Sequence, residues 1–482
     1  MSLLVIDLGS SSARTLLFDD DARLIDGSIR SRKHNFFTDS AGRATADAAE
    51  LQRLVESCVD DILIHPAARS IRAVGMASFA GNWLGLNASG QACTPVVTYA
   101  DTLGSSEIPA LLKRLGGDAD VYHQAVGCRP HPAYLPAQYA QLRRTQPDLE
   151  ARIVRISDIG GYLYRQWFGR ETPVSYSLAS WSGLLETARR DWQRDYARLL
   201  VGESLLKKLP QLADYDQTLT GLNAEYAARW GALRDVPFFL ALGDGAAANV
   251  GSGAVDSSRI ALTIGTTSAL RVVKDIERVP DGLWRYLVCE GMPLVGGATS
   301  EGGNVYQWVM QDLLKAAGGL EHQLKGRAPD GHGLTVLPLL AGERSPGWQP
   351  NASGTVHGIR RSTGQLDILQ AHLEAVAVRL SLIFDLLKAP GATVLTGGGA
   401  LRASAAWAQM VADAFDSPLQ LLAEAEVTAR GVALMMLKHL DGLDPAAEPA
   451  RISRMVEPDP RGASLLRSAR ERQVELYGRL YG

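Results

Sequence analysis

The sequence predicts an α/β protein of two related domains facing a central cleft, and three observations carry that expectation. Twice, about half the chain apart, an apolar strand runs into a hydroxyl-rich turn and straight out into a second strand: LLVIDLGSSSARTLLF at 3–18 and IALTIGTTSALRVV at 260–273. Strand-like and helix-like periodicities alternate around these hairpins. At 482 residues the chain is also too long for one ordinary core.

The elements follow in order. After the first hairpin, residues 24–34 read as a further strand. Residues 46–64 have helical spacing, with Leu51, Leu54, Val55, Cys58, Val59 and Ile62 on one side. A short buried strand is expected at 71–77, and a polar, irregular stretch at 100–147 reads as a pocket wall. The strand pattern restarts at 237–242, so the domain boundary falls near Gly243. That gives domains of 1–243 and 244–482, with room for the last helices to pack back on the first. Further helices are expected at 303–317, 366–387 and 405–415, a strand at 392–396, and closing helices at 429–440 and 463–481.

Composition bounds the function. Hydrophobic residues make up 46%, charged residues 21%, and the net charge is -3, which describes a globular protein with no electrostatic reason to bind nucleic acid or an acidic membrane. The longest apolar runs, such as 238–242, are strand-sized and far short of a membrane span. Met1 leads directly into the first strand without a basic n-region, so a cytoplasmic protein is expected. Cys58, Cys93, Cys128 and Cys289 are scattered, as reduced thiols would be, and match neither a disulfide frame nor a zinc site.

The chemistry sits in the turns. Superposing Gly9 on Gly265 sets Ser10, Ser11 and Ser12 against Thr266, Thr267 and Ser268. Backbone N–H and O–H donors converging on one point suit a phosphate, and two facing turns suit a triphosphate. Asp7, ending the first strand, either closes the turn through its own backbone or faces the Mg²⁺ of a bound nucleotide through water. Arg14 is either a solvated hairpin residue or a contact for the transferring phosphoryl group. Asp244, in FFLALGDGAAANVGSG, is either a helix N-cap or a carboxylate kept ionised by the helix start, able to accept a hydroxyl proton. Gly397, Gly398, Gly399 and Ala400 follow a strand and suit a flat ring or a phosphate. Gly302 and Gly303 suit a helix entry. There is no GxxxxGK[ST], no GxGxxG after a strand, no GxSxG and no HExxH.

In this order the motifs resemble the FGGY carbohydrate kinases, with most similarity to the gluconate-kinase branch. DLGSSSAR (7–14) and LTIGTTSALR (262–271) are similar to the family's two phosphate motifs, and GDGAAANVGSG (243–253) to the segment holding its catalytic aspartate. LLAGERSP (339–346), GTVHGI (354–359) with DILQAHLE (367–374), and TGGGALRASAAW (396–407) fit further family motifs. GCRPHPAY (127–134), SLASWSGLL (177–185) and GGATSEGGNVYQW (296–308) give the branch. The resemblance implies two ribonuclease-H-like domains of the actin and sugar-kinase type, ATP and Mg²⁺ mainly on the second, and the sugar mainly on the first. It implies Asp244 as general base. Asp7, Gly9, Ser10, Ser11, Ser12, Arg14, Gly265, Thr266, Thr267 and Gly302 would attend the phosphates, with Asp7 toward Mg²⁺ through water. Gly398, Gly399 and Ala400 would face the adenosine. Toward the sugar it implies Phe79, Gly81, Asn82, Trp83 and Tyr99, together with Asp101, His131 and Tyr134.

The departures cluster on the sugar side. Gly81 stands for a histidine of the branch, Asn82 for a serine, Leu103 for an arginine, Gln138 for a lysine, Gln141 for a tryptophan and Ser175 for a frequent aspartate. Intact kinase chemistry on an altered small-molecule substrate is expected. Gluconate is one candidate, with Arg129 or His131 as replacement cations. A ketose kinase of the xylulose or rhamnulose type, a non-catalytic ATP-gated sugar sensor and an actin-like scaffold ATPase are the alternatives. A homodimer is compatible with each.

Overall fold

The computed structural model describes residues 1–315, 321–397 and 399–482. The first sheet contains β1 (Ser2–Leu8), β2 (Ser12–Phe18), β3 (Arg30–Lys33), β4 (Ile71–Ser78) and β5 (Leu242–Gly243), in the order β5-β4-β1-β2-β3. The second contains β6 (Arg259–Ile264), β7 (Ser268–Val273), β8 (Trp284–Cys289), β9 (Met292–Thr299), β10 (Thr393–Thr396), β11 (Leu419–Leu422) and β12 (Ile452–Val456), in the order β8-β9-β7-β6-β10-β11-β12. Each lobe repeats one plan: an antiparallel hairpin (β1–β2, β6–β7) whose first strand pairs in parallel with a later strand (β4, β10). All seven residues of β1 are buried, as a strand covered on both faces requires.

The echo differs by one residue. Leu8 pairs with Ala13, whereas Ile264 pairs with Ser268. The Gly9 N–H closes the first loop onto the Ser12 carbonyl at 3.0 Å, and the Gly265 N–H closes the second onto Thr267 at 2.9 Å. The first turn is therefore one residue longer than the second.

The helices that frame the cleft are α1 (Ala48–Ile62), α2 (Leu135–Thr145), α3 (Ile159–Phe168), α4 (Asp244–Gly251), α5 (Gln365–Leu387), α6 (Ala405–Phe415), α7 (Val427–Asp441) and α8 (Pro460–Tyr481). In α1 the Asp47 side chain accepts the Glu50 N–H at 2.8 Å, and Leu51, Val55, Cys58, Val59 and Ile62 form the buried stripe. Helix α7 lies late in the sequence yet packs on β4 and β1, and Val432, Leu434 and Met436 join the core of the first lobe. It crosses α4 backbone to backbone: a Cβ on Gly251 would lie 1.7 Å from the Val427 carbonyl oxygen, and one on Gly431 1.9 Å from that of Ala247. Arg430 closes the C-terminus of α4 by donating to the Gly251 carbonyl at 2.8 Å.

Four expectations need correction. Residues 24–34 are strand only over β3, because positive φ at Ala22 and Gly27 turns the preceding stretch. Residues 237–242 are strand only at β5; Pro237 lacks an N–H, and Phe238 makes isolated bridges to Val74 and Leu219. The stretch 100–147 holds α2 and two short helices, Ile108–Arg114 and Asp120–Val126, broken by the left-handed glycines 116, 117 and 127. The helix expected at 303–317 is helical over Gly303–Gln307 and then widens into a π-helical turn over Trp308–Leu313, while residues 316 and 317 lie outside the described residues.

Candidate active site

A cavity of ≈ 260 Å³ opens between the lobes. Ser10, Tyr99 and Trp181 line it from the first lobe, Asp244 from the start of α4, and Gly265, Thr266, Thr267, Arg271 and Arg344 from the second lobe. The two hydroxyl turns thus meet across one space. Each is braced from behind. His34 Nε2 lies 3.0 Å from the Gly9 carbonyl oxygen, and the N–H groups of Gly303 and Asn304 donate to Gly265 and Thr266 at 2.7 and 3.1 Å. Gly302 sits beneath the second turn, where a Cβ would lie 2.8 Å from the Thr267 carbonyl carbon. It supports the turn from below and is itself buried.

Asp244 occupies the first turn of α4, with Gly243 at the N-cap position, and its side chain makes no cap. Its Oδ1 accepts the N–H groups of Ala80 at 3.2 Å and Gly245 at 2.8 Å, which fixes the carboxylate across the seam between β4 and α4. Oδ2 accepts no hydrogen bond among the described residues. Burial raises its pKa above the ordinary 3.8, although the two N–H groups and the Arg271 charge oppose the shift; the Asp7 charge adds to it. The Tyr99 hydroxyl shares this surround: burial and the Asp244 charge raise its pKa, while a hydrogen bond to Ser10 lowers it.

Asp7 is buried and ion-paired to Arg14, whose guanidinium also reaches Glu426 just ahead of α7. Burial outweighs this pairing and raises the Asp7 pKa. Two carboxylates, Asp7 near enough for its charge to raise the cost of ionising Asp244 and Asp244 with an unpartnered oxygen, beside a phosphate-type turn, form an oxygen donor set that fits Mg²⁺.

A second cavity of ≈ 420 Å³ continues from the first, sharing Gly265 and Thr266. Tyr306, Gly399, Ala400, Ser404 and Trp407 complete it. Gly399 adopts φ +66°, and a Cβ there would lie 2.5 Å from the Ile264 carbonyl oxygen, so only glycine fits. Gly398 lies outside the described residues.

The sugar-side residues are not gathered in one place. Tyr99 lines the cleft with Asp244. Gly81, Asn82 and Trp83 line a small adjoining pocket of ≈ 40 Å³ that shares Trp181 with the cleft. Asn82 is engaged structurally, accepting the Ile159 N–H at 2.8 Å, and Phe79 is fully buried. Asp101 lines a different pocket with Trp83 and Gln138, and its oxygens accept the Ala44 and Leu103 N–H groups at 2.9 and 3.1 Å. Tyr134 is buried, with its hydroxyl 2.6 Å from that of Tyr286.

Neither expected replacement cation serves. Arg129 is paired with Asp281 at 3.1 Å. Burial, aided by the Arg344 charge, drives His131 down to about 3, so its ring is neutral at pH 7.

Residues 2–251 match the N-terminal-domain model of the FGGY family of carbohydrate kinases, and residues 260–438 match the C-terminal-domain model. The chain belongs to the FGGY family of carbohydrate kinases. Among curated relatives, this FGGY kinase is 24% identical to a gluconokinase of Bacillus subtilis over 92% of its length and 88% of the relative's. It is likewise 24% identical to a xylulose kinase of Haemophilus influenzae, over 90% and 89%. The crystal structure of gluconate kinase from Lactobacillus acidophilus superposes with a TM-score of 0.89 at 21% identity, covering 100% of this chain and 98% of that one. Its fold is the two-lobed, actin-like sugar-kinase fold, and its class is that of an ATP-using sugar kinase. The sensor and scaffold readings are accordingly not favoured. No helix among the described residues is long and apolar enough to cross a membrane.

Sequence reasoning missed two charges of this FGGY kinase's cleft, and a third, Glu426, that pairs with Arg14. Arg271 ends the second phosphate motif, is buried with its Nε unpartnered, and is pushed down to about 10 by burial. Arg344, the arginine of GERSP, enters the cavity and makes no side-chain hydrogen bond or ion pair among the described residues. Glu426 lies in no motif. The first two lie inside motifs quoted above, in LTIGTTSALR and LLAGERSP, but only tertiary placement brings them to the cavity.

The altered positions have local explanations. Gln138 joins Trp83 Nε1 to the Thr98 carbonyl, at 2.9 Å each. Ser175 donates to the Ala241 carbonyl at 2.5 Å and caps the helix Tyr176–Ala179. Gly81 has φ +68°, with space for a Cβ only 3.0 Å from that of Tyr99.

Proposed function

We propose that this FGGY kinase transfers the γ-phosphoryl group of ATP to a hydroxyl of a small sugar acid of the gluconate type, with Asp244 as general base. The observation that carries this is the unpartnered Oδ2 of Asp244, in the same cavity as Ser10 and Gly265–Thr267. That oxygen would take the proton as the acceptor oxygen bonds to phosphorus and the bond to ADP breaks. The turns at 9–12 and 265–267 would donate N–H and O–H groups to the phosphates, with Arg271 adding charge behind the second turn. Mg²⁺, held by Asp7 through water, would neutralise charge on the transferring group. Tyr306, Gly399, Ala400 and Trp407 would take the nucleoside end.

The sugar acid is favoured by Arg344. An arginine with no carboxylate partner, in a cavity walled by Tyr99 and Trp181, suits a bound carboxylate better than a neutral polyol. Equal 24% identity to a xylulose kinase keeps a ketose as the second reading.

ADP release measured over aldonates, ketoses and polyols separates the two. Aldonate-dependent release by the unsubstituted protein, lost in Asp244→Asn, is the expected result. Release driven only by ketoses would overturn the acceptor, and full activity in Asp244→Asn would overturn the base.

A further inference from the structure

The loop that delivers Arg344 is held from the far side by the C-terminal helix, α8, which lies beyond the residues matched by the family models. The Tyr477 hydroxyl donates to Glu343 Oε2 at 2.5 Å, and Arg379 of α5 pairs with Glu343 Oε1. The Arg379 guanidinium carbon lies 4.9 Å from the centre of the Tyr477 ring. Glu343 and Arg379 are 1% and 3% exposed, so this carboxylate depends wholly on these two partners for its solvation. The loop is closed tightly around them. Ser345 N–H donates to the Ala298 carbonyl at 3.0 Å, and Trp348 N–H to the Arg344 carbonyl at 2.6 Å. A Cβ on Gly347 would lie 2.1 Å from the Tyr477 hydroxyl oxygen. Both flanks of the loop are gripped as well: Leu476, Tyr477 and Tyr481 pack on Leu337, Leu339 and Ala352, and the Tyr481 hydroxyl accepts the Ser353 N–H at 2.9 Å.

Adjacent residues of this loop thus serve opposite sides. Glu343 points inward to Arg379 and α8, while the Arg344 side chain reaches the cleft with no hydrogen bond of its own to aim it. We propose that Tyr477 is a positioning residue for Arg344, making the C-terminal helix a working part of the acceptor side of the site. This rests on the reading of Arg344 as the acceptor's cation. Removing the tyrosine hydroxyl leaves Glu343 with one buried oxygen unpaired, and the loop turns to satisfy it. Arg344 then loses its aim, while the phosphate turns at 9–12 and 265–267, braced by other bonds, keep theirs.

The test is a double-mutant cycle on the full-length protein with D-gluconate as acceptor. Tyr477→Phe keeps the ring over Arg379 and removes only the hydroxyl. It is expected to raise the gluconate KM about ten-fold, with the Kd of a non-hydrolysable ATP analogue unchanged. Arg344→Gln is expected to raise that KM by about 10²-fold, and the double variant to resemble Arg344→Gln alone, because one residue acts through the other. Fully additive effects, an unchanged KM in Tyr477→Phe, or an equal loss of nucleotide affinity would overturn the role of Tyr477 alone. An unchanged KM in Arg344→Gln, or no turnover of gluconate by the unsubstituted protein, would overturn the acceptor reading beneath it. Should Tyr477→Phe fail to fold, Tyr477→Trp, which keeps an aromatic ring beside Arg379 and likewise withdraws the hydroxyl from Glu343, replaces it in the same cycle with the same expected non-additivity.

Discussion

Arg14 of the first lobe and Glu426, just ahead of α7, are joined by a hydrogen-bonded ion pair of 2.5 Å. The same guanidinium neutralises Asp7, whose carboxylate is 2% exposed. Removing Glu426 leaves Arg14 paired with Asp7, whereas removing Arg14 strands a buried carboxylate. Glu426→Gln should therefore cost about 1 kcal/mol of unfolding free energy and Arg14→Ala about 3 kcal/mol. Urea titration gives both values, and the reverse order would show that the contact with Asp7 contributes little.

Asp244→Asn should lower kcat by about 10²–10⁴-fold and at the same time raise Tm near pH 7.5. Burial makes the ionised form costly at this position, and asparagine still accepts the Ala80 and Gly245 N–H groups through its oxygen. A variant that is inactive and less stable would mean the carboxylate is held for structure.

The pH profile follows from the same shift. The base must be ionised, and its pKa lies above 3.8 in the folded protein, so kcat/KM falls as pH drops through that raised value. Stability runs the opposite way. A carboxylate with a raised folded pKa contributes stability below its unfolded pKa and loses it as pH rises through the folded one. Activity and Tm measured from pH 4 to 8 should diverge over this window, and the divergence should vanish in Asp244→Asn.

Restoring the branch's histidine at position 81 should not restore a cation to the site. Gly81 has φ +68°, and a Cβ would press on Tyr99 at 3.0 Å. Gly81→His is expected to destabilise by about 1–3 kcal/mol and to raise the acceptor KM by displacing Tyr99. An unchanged melting temperature would show that the backbone relaxes freely there.

The hairpins were legible because their signals are local: apolar strands, a glycine, three hydroxyls. Helix α1 was equally plain, since five residues of one stripe recur at helical spacing ahead of no competing turn. The stretch 100–147 was misread because its helices are short and broken by left-handed glycines, so no periodicity survives across it. Asp101 and Asn82 fall at positions resembling family sugar contacts, yet their polar atoms hold nearby loops and a helix start, which only tertiary partners reveal. Glu426 meets Arg14 across 412 positions of sequence, a separation no motif spans.

The glycine-to-glycine crossing of α4 and α7 has a mechanical consequence. With no side chain between the two backbones, a Cβ at either glycine would drive into a carbonyl of the other helix, so the spacing of α4 and α7, and with it the seat of Asp244 at the start of α4, tolerates no side chain at Gly251 or Gly431.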